Sequence, residues 1–130
     1  MLDAPPIAVP RWHVKDRAAL LEYVHSLGDE QSEWLIILYV DEGLSLIAVE
    51  STGGGERDRV PVDRGDIICR GRALGAAGYF LVHNHPSGIA KPSREDLRFT
   101  RRLREISADL DMPLLDHFVV GGGQMVAIGW

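Results

Sequence analysis

Cysteine is nearly missing from this 130-residue chain, with Cys69 standing alone. That excludes an internal disulfide and any cysteine-rich zinc site, and it suits a reducing compartment. A bound metal would have to take histidine and carboxylate ligands. Long hydrophobic runs are missing as well. The longest, Trp34 to Val40, is far short of the ~20 apolar residues that span a bilayer. Met1 to Val9 lacks the charged and apolar regions of a secretory signal. The expectation is a cytoplasmic protein with no membrane partner. Positive charge is not in excess: 14 basic residues face 19 acidic ones, for a net charge of −5, which does not favour a polyanionic partner. No repeat, low-complexity tract or interior linker interrupts the chain. The composition, 45% apolar and 25% charged, is that of one globular domain able to fold without a disulfide or metal staple.

Met1 to Pro10, with Pro5, Pro6 and Pro10, reads as an irregular N-terminal arm over residues 1–14, which leaves 15–130 as a single domain. The spacing of Ala18, Leu21 and Val24 predicts a helix over Lys15–Leu27, ended by Gly28. Trp34–Val40, continuously apolar with aromatic and branched residues, predicts a central buried strand, and Asp41–Gly43 turns it into a second strand over Leu44–Val49. A short strand over Arg59–Val62 and a helix over Asp63–Ala77, carrying Ile67, Leu74 and Ala77, come next. Tyr79–Val82 is a further buried strand that runs directly into His83-Asn-His85-Pro-Ser-Gly88. Pro86 and Gly88 stop the strand and force an exposed turn at its C-terminal end, where open α/β sheets place their ligands. Helix Ser93–Leu110, strand Leu114–Val120, the glycine turn 121–123 and strand Gln124–Ile128 complete the chain. This order predicts an α/β or α+β sheet flanked by helices.

In an extended segment, residues i and i+2 project to one side, so His83 and His85 can offer two imidazoles to one cation while Asn84 points away. A lone His-x-His equally describes two polar residues at a strand end. The following helix has an apolar stripe at Phe99, Leu103, Ile106 and Leu110, and three residues before Phe99 the same stripe reaches Asp96. Ser93-x-x-Asp96 also matches an N-cap with an acid at the third helical position. The two roles are compatible, because a carboxylate held by a cap is fixed and ionised, as a ligand must be. Two histidines and an aspartate would leave the fourth position of a tetrahedral zinc open for water, the mark of a catalytic site. Zinc lowers the pKa of its bound water from 15.7 to ~7, but a separate group must carry the proton to the leaving group. Glu33, at the start of the apolar strand, is the best candidate; Glu50 and Asp66 compete, and Glu33 is otherwise an ordinary strand-edge charge.

Other residues have plainer readings. Asp116 and His117 read as a buried, hydrogen-bonded strand pair, with support of a zinc ligand as the alternative. Cys69, beside Ile67 and Ile68, reads as packing. Asn84 and Ser87 read as local braces of the loop. Arg94, Arg98, Arg101, Arg102 and Arg104 read as a solvated helix face balanced by Glu95 and Glu105, and they are the feature that would serve a nucleic-acid partner.

His83-Asn-His-Pro-Ser-Gly-Ile-Ala-Lys-Pro-Ser-Arg-Glu-Asp96 resembles the JAMM motif, H-x-H-P-S-G followed by P-S-x-x-D, of the JAB/MPN metalloproteins in its RadC form. Leu115-Asp-His-Phe-Val-Val120 is similar to the segment after that motif, and the resemblance runs from about Leu20 to Trp130. It implies an αβα sandwich with a mixed central sheet, and zinc on His83, His85 and Asp96. It also implies Glu33 as general acid/base and Ser93 as donor to the developing oxyanion. The implied reaction is zinc-dependent hydrolysis of a peptide or isopeptide bond. One departure is Arg64-Gly-Asp66, where RadC proteins show Pro-Arg-Glu, an acid shortened by one methylene.

The RadC branch also carries a DNA-repair label, so a DNA-associated protein is one alternative and a non-catalytic metal-binding interaction module another. A zinc deaminase lacks its H-x-E and P-C-x-x-C elements here, and the Pro-Ser-Gly turn does not match an HNH nuclease. The edge strand near Gly121–Trp130 could pair two copies as a homodimer.

Overall fold

A computed structural model describes residues 17–27, 33–53 and 63–129. The expected N-terminal arm, the first two residues of the expected first helix and the expected strand at Arg59–Val62 lie outside the described residues. The elements are α1 (Arg17–Leu27), β1 (Trp34–Val40), β2 (Leu46–Gly53), α2 (Arg64–Leu74), β3 (Gly78–Asn84), α3 (Arg94–Asp109), β4 (Leu114–Gly121) and β5 (Gln124–Ala127). Among the described residues the strands form one five-stranded sheet in the order β2-β1-β3-β4-β5, in which β3 and β4 pair in parallel and the other neighbours are antiparallel. The fold is the mixed-sheet α+β architecture that the sequence implies. Among the described residues no helix is long and apolar enough to cross a membrane.

β1 is buried along its whole length because both of its faces are covered. Trp34, Ile36, Leu38 and Val40 pack with Val82, Phe118, Val120 and Leu20 of α1. Leu35, Ile37 and Tyr39 pack with Tyr79, Leu81, Ile67 and Ile68 of α2, and Leu103 of α3. Alternation of side chains along each strand thus divides the interior into two layers of core, one under α1 and one under α2 and α3. At about 1.5–3 kcal/mol for each fully buried large apolar side chain, these two layers are the main source of stability.

Several boundaries move for identifiable reasons. Asp41 Oδ1 accepts hydrogen bonds from the backbone of Gly43 and Ser45, each at 2.9 Å, and Leu44 takes a left-handed φ of 67°. The turn is therefore longer than expected, and β2 begins at Leu46. Asp63 caps α2, and Gly75, at φ 72°, ends it, so Ala77 lies beyond the helix. Gly71 is tolerated inside α2 because a Cβ there would lie 3.0 Å from Met112 Sδ and 3.1 Å from Tyr39 Cε1. Cys69 is exposed on α2 and does not pack in the core as expected.

The largest correction concerns α3. Its buried residues are Thr100, Leu103 and Ser107; Phe99 and Ile106 flank that line half-buried, and Leu110 is 43% exposed. Polar groups on the sheet draw the helix round towards its own polar positions. The Tyr79 hydroxyl hydrogen-bonds Ser107 Oγ, and Thr100 faces His117 of β4. Burial pushes the Tyr79 phenol up to about 12, with the Ser107 contact offsetting part of the rise. A leucine-to-alanine pair checks this orientation. Leu103→Ala should cost about 2–5 kcal/mol and Leu110→Ala no more than about 0.5 kcal/mol in urea unfolding; equal costs would contradict it.

Candidate metal centre

The parallel pairing of β3 with β4 dictates where the site forms. A parallel connection must leave one end of β3 and return over the sheet, and here α3 is that connection. Its N-terminus therefore lies over the end of β3 that carries the two histidines. Short hydrogen bonds fix this end. The Asn84 side-chain oxygen accepts the backbone N–H of Trp34 at 2.8 Å, a brace reaching across to β1 and not within the loop. The His85 N–H donates to Val120 O at 2.8 Å, and the Gly88 N–H closes the turn on His85 O at 2.9 Å. Ser87 Oγ accepts the Ile89 N–H within the loop, as expected, at 3.3 Å.

Across this loop lie Gly121, the last residue of β4, and Gly122. A Cβ on Gly121 would come within 3.0–3.1 Å of the Gly88–Ala90 backbone, and one on Gly122 would meet Gly88 O at 2.5 Å. The loop bearing His85 keeps its position because no side chain intervenes.

Asp96 enters from α3 through a complete capping box. Ser93 Oγ accepts the Asp96 N–H at 3.0 Å, and Asp96 Oδ2 accepts the Ser93 N–H at 2.7 Å. The cap reading of Ser93 and Asp96 therefore holds, and it aims the carboxylate at both histidines. Asp96 Oδ2 lies 3.0 Å from His85 Nε2, and Asp96 Oδ1 lies 3.2 Å from His83 Nε2. Burial opposes ionisation of Asp96, but the His83 imidazole and the backbone and hydroxyl of Ser93 outweigh it and hold the carboxyl below its usual range.

One ligand atom each from His83, His85 and Asp96 falls within 4.8 Å of the others, so this cluster could hold a metal ion. The fit can be tested on the imidazoles. His85 Nδ1 is 3.0 Å from Ile89 O; a carbonyl only accepts, so Nδ1 carries a proton, and Nε2, facing Asp96, is the nitrogen left to hold a cation. His83 Nε2 is buried and has no hydrogen-bond partner among the described residues. An orphaned ring nitrogen beside a carboxylate is unfavourable unless a positive charge lies between them. Two imidazole nitrogens and one carboxylate are the donor set that zinc accepts.

The remaining candidates are distributed as follows. Glu33 immediately precedes β1 and is half-buried. The register Leu35↔His83 puts it level with His85 at the same end of the sheet. Glu50 is buried and ion-paired with Arg70, which removes it as a free acid. Asp66 lies in the first turn of α2 and outside the three-residue cluster. Asp116 braces the backbone, accepting from the N–H groups of His117 and Gly129. His117 is buried as expected, but its partner is His83 of the cluster: its Nε2 lies 2.8 Å from His83 Nδ1. The arginines at 94, 98, 101, 102 and 104 are exposed along α3.

A family model, the RadC-like JAB domain, matches residues 14–129. The chain belongs to the RadC-like JAB domain family. Similar proteins include a UPF0758 protein of Vibrio atlanticus, 40% identical over 107 residues that make up 80% of this chain and 48% of that protein. A UPF0758 protein of Photobacterium profundum is 38% identical over the same length, and one of Burkholderia mallei is 37% identical over 121 residues, 44% of its own length. The chain thus spans about half the length of the curated relatives it matches. In this RadC-like JAB domain, the JAMM-like segment coincides with the cluster formed by the end of β3 and the start of α3.

Burial holds the His117 imidazole down to about 3 from its ordinary 6.5, with the neighbouring His83 adding to the depression and Asp96 partly offsetting it. The folded protein therefore leaves His117 unprotonated in a range where the unfolded chain takes up a proton. The stability this confers is present above pH 6.5 and is lost as pH falls towards 3. In metal-free protein, urea unfolding between those limits should show up to about 1.4 kcal/mol per pH unit of extra loss for the wild type over His117→Gln. Parallel pH curves would contradict it.

Proposed function

We propose that this chain is the hydrolytic domain of a zinc-dependent enzyme that cleaves amide bonds, of the peptide or isopeptide kind. The convergence of His83 Nε2, His85 Nε2 and the Asp96 carboxylate carries the reading. Zinc bound there would supply a Lewis acid and a water acidified to a pKa of ~7. His83, His85 and Asp96 would hold the ion.

Glu33 then takes the proton of the attacking water and returns it to the departing nitrogen, a role supported by its place beside the His85 end of β3. Asp66 is the alternative acid, and its position on α2 outside the cluster makes it the weaker choice. Ser93 serves twice. Its oxygen accepts the Asp96 N–H, and its O–H, which helps keep the Asp96 carboxylate ionised, can turn to meet negative charge on the carbonyl oxygen under attack. The capping box binds this donor and the third ligand into one rigid turn.

Metal analysis tests the site. The purified wild type should hold about one zinc per chain, and Asp96→Asn should lose it; equal zinc in both would overturn the assignment. Glu33→Gln should keep the metal while hydrolysis of a panel of fluorogenic peptide and isopeptide substrates falls by about 10²–10⁴-fold. Full activity in that variant would transfer the acid/base role to Asp66.

A further inference from the structure

The geometry points to Thr100 and His117 as positioning residues that set the tautomer of His83, and thereby the affinity of the cluster for zinc. This rests on the zinc reading above, but its logic comes from counting protons along a chain of hydrogen bonds. Thr100 Oγ1 lies 2.6 Å from Asp96 O. A carbonyl can only accept, so the single hydroxyl proton of Thr100 is committed there. Thr100 Oγ1 also lies 2.7 Å from His117 Nδ1. With its proton already placed, the hydroxyl must accept, so His117 Nδ1 carries hydrogen.

His117 is only 2% exposed, and a buried imidazole without a facing carboxylate stays neutral. Its Nε2 is therefore a bare lone pair, 2.8 Å from His83 Nδ1. The proton in that contact must belong to His83. With hydrogen on Nδ1, Nε2 is the nitrogen of His83 left to hold a cation, and it lies 3.2 Å from Asp96 Oδ1. His85 reaches the same tautomer by a different device, the carbonyl of Ile89.

The relay also closes on itself. It starts at the backbone carbonyl of Asp96, passes through Thr100 and His117, and ends on His83, whose Nε2 faces the Asp96 carboxylate. A ligand on β3 and a ligand on α3 are thereby tied together through β4. If one hydrogen bond is lost, the His83 ring can hold its proton on either nitrogen, and binding zinc must first move it.

Thr100→Val keeps the shape of the side chain and removes the acceptor, whereas Thr100→Ser keeps the hydroxyl. Zinc affinity measured by competition with a chromophoric chelator should fall by about 10- to 100-fold in Thr100→Val and in His117→Phe. It should return to within about threefold of the wild type in Thr100→Ser. Thr100→Val binding as tightly as the wild type would overturn the relay. A second readout needs neither a variant nor metal. In zinc-free wild type at about pH 8, nitrogen-15 shifts should show a proton on His83 Nδ1; a bare Nδ1 would overturn the proposal. A wild type that takes up no zinc would sink the zinc reading instead, and the nitrogen-15 spectrum would then still decide the relay.

Discussion

Three electron-rich atoms held in contact by structure that cannot relax are the constraint on which this protein is organised. The Asp96 carboxylate is pinned by a helix cap, His85 by a turn closed on β4, and His83 by its place inside the sheet. Each restraint is ordinary on its own and would be found in proteins with no metal. Acting together they leave the two ring nitrogens and the carboxylate nowhere to turn. The local cost is carried by the two apolar layers that bury β1 on both faces and keep β3 beside it.

The three residues of the candidate cluster were legible because they are local. His83 and His85 share a strand end and Asp96 lies one turn into the next helix, so period-two and helical spacing bring them together without knowledge of the tertiary fold. The level of Glu33 with His85 was also within reach, since a buried apolar run next to a second one implies pairing. The contact of His117 with His83 was not. It requires β4 to lie parallel to β3, a pairing 34 residues apart in the chain, and from the sequence alone Asp116-His117 reads first as a strand pair serving itself, with support of a zinc ligand only the alternative.

The orientation of α3 failed for a related reason. Hydrophobic periodicity counts Phe99, Ile106 and Leu110 as core and Thr100 and Ser107 as surface. The sheet beneath the helix presents a tyrosine hydroxyl and an imidazole, which need polar partners in a dry interior. Burying threonine and serine there satisfies those groups and turns Leu110 outward. The second role of Gly121 and Gly122 was hidden for the opposite reason: a glycine turn between two strands already has an explanation, and their tolerance of the neighbouring loop becomes visible only once backbone distances are known.

The parallel junction of β3 with β4 has a bearing on how such a cluster comes into being. Non-local parallel pairing is slow to form, because a long loop must close before any contact repays it. The residues of the cluster are therefore brought together only once α3 has docked and the crossover is complete. An ion that recognises the finished geometry and ignores the open chain would shift the population towards the native form by mass action, and its escape would be gated by the same motion that separates the helix from the sheet.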